Sequence, residues 1–198
     1  MEKKMVYLAN QITKILLNKK IIEEDMTDVY RYGLEIIFSS LLTTLSILTI
    51  ALLLDSLNLG ILYFLLTIPL KLTAGGYHAE TFKKCFFISN FSFAALICLH
   101  KILSYYNISE LIWLSILYCS AIFIFLKAPV QNIHQPLTAS KMEHNKMLSH
   151  IYLLTDCGII TCLTIALPTS HIIHFSVLCI LLVALFIIPT QVKGGSYE

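Results

Sequence analysis

Apolar segments about as long as a bilayer is thick recur along this chain, and they constrain its fold more than any other feature. Hydrophobic residues make up 57% of the 198 residues and charged residues only 13%, whereas soluble globular proteins carry about 25% charged residues. A helix needs about 20 mostly apolar residues to cross a membrane. We therefore predict an all-α, polytopic membrane protein. The six predicted spans are Leu34–Leu54, Leu59–Leu72, Phe86–Leu103, Ile108–Leu126, Ile151–Leu167 and His171–Ile188.

Two segments differ from a simple span. Leu59–Leu72 is short and contains Pro69, which predicts a short or broken helix. Residues 1–20 carry apolar side chains at helical spacing, which predicts an amphipathic helix lying in the membrane interface. A helix packed on a neighbouring loop with its other face in solvent is the alternative. The apolar positions are Leu8, Ile12, Ile15 and Leu16.

The basic residues predict the orientation of the spans. If the N-terminus is cytoplasmic, every one of the 14 basic residues except Lys101 lies in a cytoplasmic segment, as the positive-inside rule requires. Both termini and the stretch 71–85 are then cytoplasmic. The net charge of +2 gives no basic surface for nucleic acid. No linker or repeat divides the chain, so residues 1–198 are predicted to form a single membrane domain.

A short polar stretch, TAGGYHAETFKKC, interrupts the apolar pattern at residues 73–85. Cys85 follows Lys83 and Lys84, two cations that favour the nucleophilic thiolate. His78 suits the base that such a thiol needs. On a continuous helix, seven residues separate two side chains by about 10 Å along the axis, so the chain must bend. The pair Gly75–Gly76 allows this, and we predict non-helical backbone near residues 74–79. By spacing alone, a histidine and a cysteine with unrelated roles in one loop remain the alternative.

The other cysteines and histidines form weaker patterns. Five cysteines lie in predicted spans, where we expect them to be small buried apolar residues: Cys98, Cys119, Cys157, Cys162 and Cys179. Three histidines share a loop at spacings that match no metal site: His134, His144 and His150. No metal and no other cofactor is predicted.

The chain also holds polar and aromatic residues with several possible roles. A third catalytic residue is not evident from the sequence, and the candidates are Glu80, Gln131, Asn132, Glu143 and Asp156, the last near the interface end of its span. We expect interfacial packing from His171 and His174, and an aromatic belt from Tyr105, Tyr106 and Trp113.

Three motifs resemble those of the accessory gene regulator B (AgrB) family of membrane endopeptidases, which process quorum-sensing propeptides. They are GGYHAETFKKC (Gly75–Cys85), YRYGLE (Tyr30–Glu35) and KAPVQNIHQPL (Lys127–Leu137), and the likeness in length and hydropathy covers nearly the whole chain. By this resemblance His78 and Cys85 are the catalytic pair. Many members place charged residues directly after Ala-Pro, whereas Gln131–His134 follow Pro129 here, which weakens a substrate-binding role for that loop.

The resemblance implies a cysteine endopeptidase that removes the C-terminal tail of an AgrD-type propeptide. The remaining peptide would stay on Cys85 as a thioester and then cyclise to a thiolactone or lactone. A homodimer is also implied. Residues expected to bind the acidic propeptide tail or to line the site are Lys71, Gly75, Gly76, Lys83 and Lys84. The three lysines equally fit a role in setting topology.

Two functions without catalysis remain alternatives. A transporter or export channel for a small peptide or ion would explain the six spans and would not need Cys85. A membrane scaffold or sensor would bind a cytoplasmic partner through its loops. A neighbouring short reading frame that encodes an amphipathic helix, a Cys or Ser, and an acidic tail would favour the peptidase.

Overall fold

Helices account for almost all of the chain that the computed structural model describes, which comprises residues 2–77, 79, 81–130, 138–167 and 170–194. These residues contain no strand, so the predicted all-α class is confirmed. A 3-10 turn, Glu24–Met26, precedes the second helix. The α-helices are α1 (Glu2–Asn18), α2 (Thr27–Leu53), α3 (Leu57–Ala74), α4 (Phe82–Leu103), α5 (Glu110–Lys127), α6 (Ala139–Ala166) and α7 (His171–Gly194).

Within the described ranges, six helices, α2 to α7, are long and apolar enough to cross a membrane. The predicted number of spans is thereby confirmed. The second span, α3, has 18 residues and continues through Pro69, so it is short and not broken. The hydroxyl of Thr73 donates to the carbonyl of Pro69 at 2.9 Å in the turn that follows. A helix of this length is close to the lower limit of about 17 residues for a span.

Two helices begin well before the apolar segments that predicted them. The apolar pattern begins at Leu34 and Ile151, but α2 starts at Thr27 and α6 at Ala139. Thr138 caps α6 by accepting a hydrogen bond from the backbone N–H of Lys141 at 3.4 Å. Hydropathy marks only the part of a helix that lipid surrounds, whereas caps and backbone hydrogen bonds determine where the helix itself begins.

Contacts divide the chain into two compact units, Met1–Leu53 with Ala79–Ala94, and Leu54–His78 with Ala95–Glu198. In the first unit α1 packs on α2. The buried positions of α1 are Met5, Ala9 and Thr13, one turn apart along one face. Leu8 and Ile15, from the predicted apolar face, are instead exposed. The single domain predicted for residues 1–198 stays a prediction.

The second unit is built around α7, which packs against α3, α5 and α6. In its apolar window 56% of the residues are buried, compared with 39% or less in those three helices. Fully or almost fully buried positions recur along α7: Phe175, Val177, Ile180, Val183 and Ile187. Because α7 lies inside this unit, its C-terminal part at Phe186 contacts residues from distant parts of the chain, as described below.

The five cysteines within the spans do not share one environment. Cys157 and Cys179 are buried, as predicted, but Cys98, Cys119 and Cys162 are exposed, so the prediction of burial is wrong for these three. The reason is that a weakly polar thiol is compatible with lipid as well as with a protein core, so an apolar sequence context does not select between the two.

Candidate active site

The chain leaves the helical conformation at the two glycines of the polar stretch. α3 ends at Ala74, and Gly75 and Gly76 have φ angles of 76° and 127°. Side-chain-bearing residues rarely adopt such angles, so glycine is the residue that this backbone requires. We call Gly75, Gly76 and Tyr77 the glycine turn. Its geometry confirms the predicted non-helical backbone for the described residues of this region.

The segment after α5 holds one side of the glycine turn. The backbone N–H of Val130 donates to the carbonyl of Ala74 at 2.9 Å. A Cβ atom added to Gly75 would overlap the carbonyl oxygen of Val130. Val130 belongs to the Ala-Pro motif that sequence analysis considered for substrate binding. Its observed contact is structural, and the residues 131–137 that follow lie outside the described part of the chain.

Helix α7 holds the other side of the glycine turn. The backbone N–H of Tyr77 donates to the carbonyl of Phe186 at 2.8 Å. A Cβ atom on Gly76 would lie 3.2 Å from the same oxygen, closer than most real contacts. Nothing in the sequence indicated Phe186, since it is one apolar residue among many in α7. For the contact of Val130 on the opposite side of the turn, the Ala-Pro motif was the only indication in the sequence.

The predicted catalytic residues lie just beyond this turn along the chain. His78 lies outside the described residues, as does Glu80. Cys85 is exposed in the first turn of α4, and its backbone N–H donates to the carbonyl of Thr81 at 3.0 Å. The Thr81 hydroxyl accepts from the backbone N–H of Lys84 at 3.2 Å, which caps the helix.

The three predicted anion-binding lysines have different surroundings. Lys71 lies half-buried in the last turn of α3, with its Nζ 4.3 Å from the centroid of the Phe186 ring. Lys83 and Lys84 are exposed in the first turn of α4. The helix dipole stabilises a cation at the end of a helix and disfavours one at its beginning. The helix dipole thus favours the position of Lys71 at the end of α3, but it disfavours the positions of Lys83 and Lys84 at the start of α4.

The other predicted candidates are dispersed. Glu143 and His144 are exposed on α6 and, with His150, line an open depression of roughly 600 Å³. His150 stacks on Phe125 with ring centroids 3.9 Å apart. Asp156 is half-buried inside α6. The sequence predicts Asp156 near the membrane interface because its apolar span begins at Ile151, whereas α6 begins at Ala139. The candidates Gln131, Asn132 and His134 lie outside the described residues.

A cluster of rings at the opposite ends of these helices was not predicted as a unit. His174 on α7 forms an ion pair with Glu110 on α5, with Nε2 and Oε1 3.0 Å apart, and it stacks on Trp113 with centroids 4.6 Å apart. His171 lies 6.2 Å from His100 and 6.4 Å from His174, between ring centroids. We call these five residues the histidine cluster.

The predicted aromatic belt is corrected at Trp113, which belongs to the histidine cluster. Trp113 is only 3% exposed, so its assignment to an aromatic belt is wrong: it packs against His174 instead of lipid headgroups. Tyr105 and Tyr106 are exposed, as residues of such a belt are. Among the described residues, no three His, Cys, Asp or Glu side chains are arranged to hold a metal ion.

Comparison with known protein families decides what kind of protein this is. The family model described as accessory gene regulator B matches residues 8–188 of the 198. This chain belongs to the AgrB family. None of the curated proteins and none of the solved structures compared with it matches.

Membership of the AgrB family gives the chain a general role in the processing of quorum-sensing propeptides. It also implies an interaction with a propeptide of the AgrD type. The six apolar helices agree with a multi-pass membrane protein. Every predicted site residue, from Lys71 to Cys85, lies inside the matched range, as do the glycine turn and both segments that contact it.

Proposed function

We propose that this AgrB-family protein is a membrane cysteine endopeptidase that removes the C-terminal tail of an AgrD-type propeptide. Cys85 is the nucleophile and His78 the general acid and base. The observation that carries the proposal is the sequence Gly75–Cys85, in which a glycine-specific turn directly precedes His78. An exposed cysteine in the first turn of the next helix supports it.

The proposed reaction proceeds through a thioester. The Cys85 thiolate attacks the carbonyl carbon of the scissile bond, His78 protonates the departing amine, and the tail leaves. A thiol or hydroxyl within the peptide then attacks the thioester, closes a thiolactone or lactone ring and releases Cys85. Exchange of the thioester for a thiolactone roughly conserves bond energy. Water must be excluded during this step because it would hydrolyse the thioester, and a site at the membrane edge provides such exclusion.

The oxyanion of each tetrahedral intermediate needs hydrogen-bond donors. The polar stretch offers three candidate backbone N–H groups, those of Gly75, Gly76 and Cys85. Those of Gly75 and Cys85 already donate to the carbonyls of Lys71 and Thr81. Gly76 is buried, and its N–H donates to no atom of the described residues. A buried N–H without a partner is rare in proteins, which favours Gly76 as the donor.

The remaining features of the proposal concern the membrane. We infer that both termini and the stretch 71–85 face the cytoplasm, because the basic residues concentrate there. The exposed apolar side chains of α1, such as Leu8 and Ile15, suit a helix in the membrane interface beside the propeptide's own amphipathic helix. Lys83 and Lys84 oppose the dipole of α4, which favours a role in topology or in binding the acidic tail. We also propose a homodimer, as the resemblance to the family implies.

The proposal is tested by co-expressing the protein with its propeptide and following the products by mass spectrometry. We expect tail release by the wild type, none by Cys85→Ala or His78→Ala, and a peptide adduct on Cys85 when ring closure is blocked. Cys98→Ala is the matched control, because Cys98 is an exposed cysteine on the same helix. Tail release that persists without Cys85 would overturn the mechanism and favour a transporter.

A further inference from the structure

One motif of the sequence has no part in the proposed reaction. YRYGLE, Tyr30–Glu35, lies near the start of α2. Arg31 forms ion pairs within that helix, with Asp28 at 3.1 Å and with Glu35 at 3.9 Å. These pairs join residues three and four positions apart, the spacing at which side chains on a helix meet. They explain the charged residues of the motif as local stabilisation of α2, whereas Tyr32 connects the motif to another helix.

Tyr32 packs against Phe82, the first residue of α4. The two ring centroids lie 6.4 Å apart and the ring planes are inclined at 40°, within the range of about 4.5–7 Å at which aromatic rings attract each other. Cys85 follows Phe82 by three residues, so the two side chains are neighbours on one side of α4. All three residues belong to the first compact unit. The motif therefore contacts the helical turn that carries the predicted nucleophile.

The first turn of a helix is weakly constrained, because its first four N–H groups have no partner within the helix. In α4 the Thr81 hydroxyl accepts from the N–H of Lys84 at 3.2 Å. This cap is local: it orders the backbone of the turn but does not fix where the turn lies relative to α2. The ring pair of Tyr32 and Phe82 provides that second constraint, since it joins two helices that are distant in sequence.

We propose that Tyr32 is a positioning residue that holds the first turn of α4, and with it Cys85, against α2. The inference rests on the proposed function and deepens it, because it gives the YRYGLE motif a role in the thiol chemistry. A displacement of about 1 Å at a reacting group can cost 100-fold in rate. Loss of the ring leaves the cap in place, so the expected cost is smaller. It falls on the chemical step more than on substrate binding.

The test measures KM and kcat for tail release with two Tyr32 variants. Tyr32→Leu removes the ring, and we expect kcat to fall roughly tenfold with KM within about threefold of wild type. Tyr32→Phe keeps the ring and removes the hydroxyl, and we expect kcat within about twofold of wild type. Tyr30→Leu is the matched control. Tyr30 is 44% exposed and Tyr32 47%, but residues two apart lie on different faces of a helix.

A double variant tests whether Tyr32 acts through Phe82. Tyr32→Leu with Phe82→Leu should be no slower than the slower single variant, because both changes remove the same contact. Costs that add would show independent effects and overturn the inference. It is also wrong if Tyr32→Phe is as slow as Tyr32→Leu, if Tyr30→Leu loses as much activity, or if kcat of Tyr32→Leu is unchanged while Cys85→Ala is inactive. Protein yield and melting temperature in detergent check folding.

Hydrogen–deuterium exchange separates this inference from the proposed function. The N–H of Cys85 donates to the carbonyl of Thr81 at 3.0 Å, so its exchange requires the turn to open. Mass spectrometry of residues 82–90 in detergent, without substrate, reports this opening. We expect exchange about fivefold faster in Tyr32→Leu and unchanged in Tyr32→Phe and Tyr30→Leu. Unchanged exchange in Tyr32→Leu overturns the role of Tyr32 even if Cys85 proves catalytic. Faster exchange supports it even if tail release does not require Cys85.

Discussion

The glycine turn and the histidine cluster both join α7 to other helices, but through different atoms. Backbone groups hold the turn: the N–H of Val130 donates to the carbonyl of Ala74 directly before it, and the carbonyl of Phe186 accepts from the N–H of Tyr77 within it. Side-chain rings and one ion pair hold the cluster. Contacts between backbones leave no room for an added atom, whereas packed rings tolerate a change of similar shape. The two regions should therefore respond differently to small substitutions.

Gly75→Ala is expected to have the largest effect. The new Cβ would meet the Val130 carbonyl oxygen at a φ that disfavours alanine, so the turn must move. A displacement of about 1 Å at a catalytic group can cost 100-fold in rate, and we expect tail release to fall about that much. Mass spectrometry of released tail measures this. Gly33→Ala and Gly158→Ala are controls, because a Cβ there meets no atom within 4 Å. Wild-type activity in Gly75→Ala would contradict the role of the turn.

Gly76→Ala should have an intermediate effect. Its Cβ would lie 3.2 Å from the Phe186 carbonyl oxygen, a contact that a shift of a few tenths of an ångström relieves, although the positive φ remains unfavourable. We expect tail release to fall roughly tenfold. Initial rates of tail release, measured for Gly76→Ala and Gly75→Ala in parallel, show which glycine matters more for activity. A loss larger than that of Gly75→Ala would reverse the order that the geometry predicts.

In the histidine cluster, Glu110→Gln should lower stability and leave cleavage nearly unchanged. Glutamine keeps an oxygen that accepts a hydrogen bond from His174 but lacks the charge. Since the pair is partly exposed, we expect a loss of about 1 kcal/mol, or about 2–4 °C in melting temperature for a chain of this size. Thermal unfolding in detergent and the cleavage rate are measured on the same preparation. A tenfold loss of cleavage would show that the cluster also supports the site.

Trp113→Phe should have the smallest effect of these substitutions, and the direction in which it changes the melting temperature is informative. The indole Nε1 is buried and has no hydrogen-bond partner among the described residues, which costs about 1–3 kcal/mol. Phenylalanine keeps a ring against His174 and removes this group but leaves a small void. We expect the melting temperature to stay the same or to rise slightly. A clear decrease would indicate that a bound water or another group satisfies the indole.

Local pattern was sufficient to predict a good part of this protein. The six spans follow from the length of the apolar runs, and α1 follows from apolar residues at helical spacing. The departure from helix after Ala74 follows from Gly75 and Gly76, because their backbone freedom is a property of the residues themselves. The resemblance to the AgrB family also came from short motifs, and the match over residues 8–188 bears it out.

The partners of these residues could not be predicted in the same way. Val130 is distant in sequence from Ala74, and Phe186 is more distant still from Tyr77. Nothing in apolar residues of this kind indicates which carbonyl accepts which N–H. The histidine cluster was missed as a unit for the same reason, since its members come from α4, α5 and α7. The exposure of Cys98, Cys119 and Cys162 depends on how each helix is rotated toward its neighbours.

The sequence by itself determined the apolar character of this protein, the number of its helices that are long enough to cross a membrane, and its family, and it predicted the residues for thiol chemistry. Those properties depend on the composition and order of neighbouring residues. Only the tertiary structure decided that Val130 and Phe186 enclose the glycine turn, that the Phe186 ring lies beneath Lys71, and that the N–H of Gly76 has no acceptor among the described residues. Such contacts arise when helices distant in sequence pack together, because packing selects among the many apolar surfaces that a membrane sequence offers.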